Sequence, residues 1–146
     1  MAITKPTLQV YEILDKAASK RAKKDKIAVL QEYKNLMALR DVLQGTFDDR
    51  IQWNLPAGPV PYTPSSDEAP HSSLLKAHMN FKYFVKGLVE SNRLTSIKRE
   101  KMFIDMCESI HPRDAEVIVN MINKKPPVKG ITKSVVKEAF PDLLHE

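Results

Sequence analysis

The chain has 146 residues, 42% of them hydrophobic, and carries a formal net charge of +5 from 23 Lys and Arg against 18 Asp and Glu. That length suits one domain with a sizeable core and argues against a repeat array or a two-domain enzyme. No run approaches the roughly 20 apolar residues of a membrane span, no apolar signal core follows Lys5-Pro6, and the single cysteine excludes an intrachain disulfide framework, so a reducing, cytoplasmic setting is expected.

From the N-terminus, Leu8, Val10, Ile13, Leu14 and Ala17 form a helical stripe over about 7–19, with Thr7 as its cap after Pro6. Five cations against one acid follow in Ser19-Lys20-Arg21-Ala22-Lys23-Lys24-Asp25-Lys26, and the chain runs on into a second helix, about 23–33, bearing Ile27, Leu30 and Tyr33. Leu36, Leu39 and Leu43 recur at i, i+3 and i+7 and place a third helix over 35–44, with Gly45 as its stop. The second and third helices are expected to form a hairpin.

Residues 45–72 read as a long loop, because Pro56, Pro59, Pro61, Pro64 and Pro70 break any period. Arg50 to Pro56 should be anchored by Trp53 and its aliphatic neighbours, and 61–70 should be the mobile part. Beyond it Leu74, Ala77, Phe81, Phe84 and Leu88 mark a long central helix over 73–90, capped by Ser72 or Ser73. Lys76, Lys82 and Lys86 lie between these positions, a pattern that suits a core stripe with a basic outer side better than a stacking platform for bases.

Thr95 or Ser96 opens a helix over 96–110 with Phe103, Met106, Cys107 and Ile110 facing inward, and His111-Pro112 ends it. Ala115, Ile118, Val119 and Ile122 supply the next, over 113–123. Gly130 can take a positive φ without steric cost, and Thr132 is a good N-cap for a last helix over 133–140. The fold class is therefore all-α: residues 1–146 form one domain, a bundle of about seven helices with a long Pro-rich loop.

Around that last helix start stand Lys124, Lys125, Lys129, Lys133 and Lys137, with no acid in the sequence between them before Glu138. A helix N-terminus among cations is suited to a phosphate. The plainer alternative is a solvated Lys-rich face.

Enzymatic signatures are missing. His71, His78, His111 and His145 are far apart and share no metal-ligand spacing with Cys107 or with paired acids. There is no phosphate-binding Gly-x-x-x-x-Gly-Lys-Ser/Thr loop, no dinucleotide fingerprint and no nucleophile elbow. Cys107 has His111 one turn away but no third member of a catalytic set, and reads as a buried thiol. The chain is expected to be non-enzymatic, without metal or cofactor.

Gly130-Ile131-Thr132-Lys133-Ser134-Val135-Val136, with Ala139-Phe140-Pro141 and Leu143 after it, resembles the end of the helical, DNA-binding N-terminal domain of ATP-dependent DNA ligases, particularly the short phage type. Gly130, Ile131, Thr132, Lys133, Val135, Phe140, Pro141 and Leu143 fall on that pattern, and Asp142 departs from its usual Gly. Asp114-Ala115-Glu116-Val117-Ile118 is similar to the start of that domain's penultimate helix, and the Ser/Lys-rich turn 19–26 and the Pro-rich loop repeat its layout. The likeness is motif-like over the last quarter of the chain and topological over the rest. The lysine motif Lys-x-Asp-Gly, on which ligases form their adenylated intermediate, is missing, so the resemblance implies the grip of a ligase without its engine.

Two functions follow as expectations. The first is a sequence-independent module for duplex DNA, intact or nicked, that serves a replication or repair enzyme in trans, in the host cytoplasm if viral. Its phosphate contacts would come from Lys20, Arg21, Lys23, Lys24, Lys26, Lys124, Lys125, Lys129, Gly130, Thr132, Lys133 and Lys137, the basic turns 20–26 and 124–137 forming two ends of one face. The second is a phage-encoded adaptor or inhibitor of a host or viral protein, docking through Trp53 and Tyr62 of the Pro-rich loop.

Overall fold

The computed structural model describes residues 8–66 and 70–144. Within them the chain is an all-helical bundle of α1 (Val10–Ala18), α2 (Lys23–Glu32), α3 (Met37–Phe47), α4 (Leu74–Ala77), α5 (Val89–Asn92), α6 (Ser96–Ser109), α7 (Pro112–Ile122) and α8 (Lys133–Ala139), with a 3₁₀ segment at His78–Phe84. No helix among the described residues is long and apolar enough to cross a membrane. The cap expected at Thr7 lies outside these residues, as does His145.

One core joins the helices. Ile13, Leu14, Leu30, Leu39, Leu43, Phe84, Phe103, Ile118, Met121 and Ile131 are all essentially inaccessible to solvent and belong to a single cluster. The expected hairpin of the second and third helices does not form, because α2 packs chiefly on α1 and α8 while α3 packs on α7 and on the segment around α4. The second helix therefore carries its basic first turn to the C-terminal end of the chain.

Gly45 is not a stop either, since α3 continues to Phe47 with Gly45 buried inside it. A Cβ there would lie 2.5 Å from Trp53 Cζ2 and 2.9 Å from Met121 Sδ, so the glycine makes room for an indole. The Trp53 Nε1–H donates to the Gly45 carbonyl at 2.9 Å, and its ring meets Phe81 edge-on at 6.0 Å.

The long central helix expected over 73–90 is broken. Ser73 caps α4 through its hydroxyl as expected, but the chain then tightens into the 3₁₀ segment and becomes extended at Val85. There Val85 forms an antiparallel bridge with Trp53, in which Asn54 N–H donates to the Phe84 carbonyl and Lys86 N–H to the Gln52 carbonyl. Gly87 turns the chain at φ +94°. The physical reason is that the extended backbone around Trp53 needs partners for its polar groups, and the bridge satisfies both segments at once.

Two buried polar groups hold helix ends. Asp114, on α7, is fully buried and accepts the Tyr11 N–H with Oδ1 at 2.9 Å, so it caps the first turn of α1 from across the bundle. Arg99, only 7% exposed, donates to the carbonyls of Ser91 at 2.9 Å and Leu94 at 2.8 Å, tying α6 to the end of α5.

Candidate nucleic-acid interface

The turn between α7 and α8 is built from an unusual helix end. Lys124 has φ +57°, while its N–H donates to the Met121 carbonyl and the Lys125 N–H to the Asn120 carbonyl, the paired bonds of a left-handed helix stop. Glycine is the usual residue there, and a lysine costs about 1 kcal/mol or more in strain. Its ammonium explains the choice: Nζ donates to the carbonyls of Gly45 at 2.8 Å and Asp48 at 2.9 Å, at the C-terminal end of α3 where a cation suits the helix dipole. Burial lowers the pKa of Lys124. Lys124 is a strut between two helix ends, its ammonium already engaged by two carbonyls where a phosphate contact was expected.

Pro126 and Pro127 follow, Gly130 turns the chain at φ +97°, and the Thr132 hydroxyl accepts the Val135 N–H to start α8 where expected. The α1–α2 turn comes to meet this one. Lys26 Nζ donates to the Gly130 carbonyl at 3.1 Å, and Lys23 Nζ reaches both the Ser134 hydroxyl and the Glu138 carboxylate. The two basic turns thus meet, and the first turns of α2 and α8 adjoin.

The fold sorts the expected ligands by what else holds them. Lys26 and Thr132 are engaged by the turn itself, Lys23 by Glu138, and Lys133 by Asp49 at 3.5 Å. Lys20, Arg21, Lys24, Lys125 and Lys129 stand exposed, and Lys137 lies in the last turn of α8. Asp49 is a counter-charge that no reading of neighbouring sequence could supply, because it comes from the turn that follows α3.

The charge on α2 is notable for its direction. Ala22 at the cap position offers no side-chain acceptor, and Lys23, Lys24 and Lys26 occupy the first turn with Asp25 as the acid. Cations at a helix N-terminus oppose the dipole, by roughly 0.3–1 kcal/mol each at an exposed position. An anion bound there would offset that cost.

The expected docking residues are not presented outward. Trp53 and Tyr62 are both half-buried against the core, the indole N–H is engaged by Gly45, and burial raises the Tyr62 pKa. Of the stretch expected to be mobile, Thr63 N–H is held by Glu108 and the Ser65 hydroxyl by the Ile110 carbonyl; residues 67–69 lie outside those described. Cys107 is a buried free thiol with its pKa pushed up to about 12 by burial, unsuited to nucleophilic work. His111 caps α7 by accepting the Arg113 N–H and stacks on Tyr11 at 4.3 Å. Among the described residues no cluster of three or more His, Cys, Asp or Glu could hold a metal ion.

A model of a family of unknown function, DUF6433, matches residues 13–126. That span includes the basic start of α2 and stops short of Gly130 and α8. No curated protein matches the chain.

Proposed function

The chain belongs to DUF6433, a family of unknown function, and from its surface we propose that it is a non-catalytic module that grips duplex DNA through phosphates, without reading sequence. The observation that carries this reading is the Lys26–Gly130 contact with the Lys23–Ser134 contact beside it, which joins two lysine-rich helix starts into one basic site. Lys20, Arg21, Lys24 and Lys129 are exposed there, and no ion pair among the described residues engages them. Each is placed to neutralise a phosphate by counterion release.

Base readout is not part of the proposal, because no helix with clustered Arg, Asn and Gln stands ready to enter a groove, and the site's lysines suit phosphates as compact point charges. The likeness of Gly130 to Leu143 to the closing stretch of ligase DNA-binding domains supports the same reading and suggests service in trans to a replication or repair enzyme. Fluorescence anisotropy with labelled duplexes of unrelated sequence tests it: Lys24→Glu and Lys129→Glu should weaken binding to every duplex by a similar factor. Variants that bind as the parent does, or a strong preference for one sequence, would sink the reading.

A further inference from the structure

Where the central helix breaks, the surface becomes apolar. Five large hydrophobic side chains are exposed among the described residues, and four of them, Met79, Leu88, Val89 and Ile97, fall between residues 79 and 97. Met79 is 70% exposed and Leu88 41%, and the two line one groove of about 320 Å³ whose other walls include Trp53, Phe81, Val85 and Lys82. A lone exposed leucine needs no explanation, but exposed side chains that share a concave surface with buried aromatics mark an interaction site.

The groove is also firmly built. Trp53 is fixed by its bond to Gly45 and by Phe81, Val85 by the bridge to Trp53, and His78 by Asp41 at 2.6 Å. A preformed site loses less on binding than one that must be ordered.

Its charges indicate the occupant. Lys82 stands in the groove wall and Lys86 is exposed just beyond the bridge, while Asp41, the one acid in the wall, is hydrogen-bonded to His78. We propose that this groove docks a short amphipathic segment of a partner protein, in which two apolar anchors sit between Met79, Leu88 and Trp53 while flanking Asp or Glu residues meet Lys82 and Lys86. A second copy of this chain fits less well, because a two-fold contact would bring the same lysines together. Duplex DNA fits less well, because its accessible surface is dominated by phosphates and sugars and offers little apolar area to Met79 and Leu88.

The chain has one tryptophan, so its emission reports directly on the groove. A random peptide library is displayed and selected on the whole protein, the enriched peptides are synthesised, and binding is followed by Trp53 fluorescence. The expected peptides pair two apolar residues with Asp or Glu and shift the emission. Met79→Asp, Leu88→Asp and Lys82→Glu, all at exposed positions, should each weaken them at least about tenfold with the helical circular dichroism unchanged, while Lys24→Glu and Lys129→Glu leave them untouched. No enrichment, enriched peptides without acids, an unmoved emission or variants that bind as the parent does would overturn the proposal. So would a concentration-dependent dimer that Leu88→Asp dissociates, which would make the occupant a second copy.

Discussion

Lys26 and Gly130 stand 104 residues apart in the chain and 3.1 Å apart in the fold, ammonium to carbonyl. The contact fixes the turn before α8 against the start of α2, so that the arrangement of the surrounding lysines is set by the fold and not by the flexibility of their side chains. It also assigns different tasks to neighbouring lysines, since Lys26 holds the turn while Lys24, two residues earlier, is exposed.

That division is testable. Lys26→Met should cost about 1–2 kcal/mol in urea unfolding, the scale of a partly buried hydrogen bond from a charged donor. Lys24→Met should change stability by less than about 0.5 kcal/mol and should weaken DNA binding instead. Equal stability of the two variants would contradict the assignment.

Lys124→Met should destabilise without altering the dependence of DNA binding on salt. The substitution keeps the strained backbone at φ +57° and removes both bonds to the α3 carbonyls, for an expected loss of about 2–3 kcal/mol. A variant that keeps the parental melting temperature but loses a phosphate contact would restore the role first expected from its charge.

Gly45→Ala pits two effects against each other. Alanine gains about 1 kcal/mol of helix propensity over glycine, but its Cβ would fall 2.5 Å from Trp53 Cζ2, and the indole is fixed by its own hydrogen bond. Overpacking of this kind costs roughly 1–3 kcal/mol, so the variant should melt lower and shift Trp53 emission. A higher melting temperature with unchanged emission would refute the packing account.

Asp114 should make stability depend on pH in an unusual direction. Burial pushes its carboxyl up to about 6 from an ordinary 3.8, partly opposed by the Tyr11 N–H, and Oδ2 has no hydrogen-bond partner among the described residues. Because the folded state binds the proton more tightly than the unfolded one, this group's contribution is greatest at low pH and is lost as pH rises from about 4 to about 6, by up to about 3 kcal/mol. Asp114→Asn retains an acceptor for Tyr11 and should remove that slope. Melting curves of both proteins between those pH values decide it, and parallel curves would count against the buried carboxyl.

The parts of the fold that were legible in the sequence are those with a local cause. Thr132, Thr95 and Ser73 are the caps of their helices, and Gly130 takes its positive φ, because each needs only neighbours within a turn. The break after α4 was hidden because Leu74, Ala77, Phe81 and Phe84 keep one buried face in a helix and in the 3₁₀ segment alike. Leu88, the next position of that stripe, is exposed; Gly87 beside it was the available signal. In the proposed site, counting charges picked out the two basic turns but could not tell Lys129, open to solvent, from Lys124, aimed at two carbonyls. Nor could it see that Asp49 would reach Lys133.

The most direct test of the proposed DNA grip is the salt dependence of duplex binding. The logarithm of the affinity should fall linearly with the logarithm of salt concentration, by about 0.9 for each phosphate neutralised, and a Lys24→Glu/Lys129→Glu variant should lower that slope by about two units at unchanged fold. Absence of binding at low salt, or a slope that the double variant leaves as it was, would contradict the account.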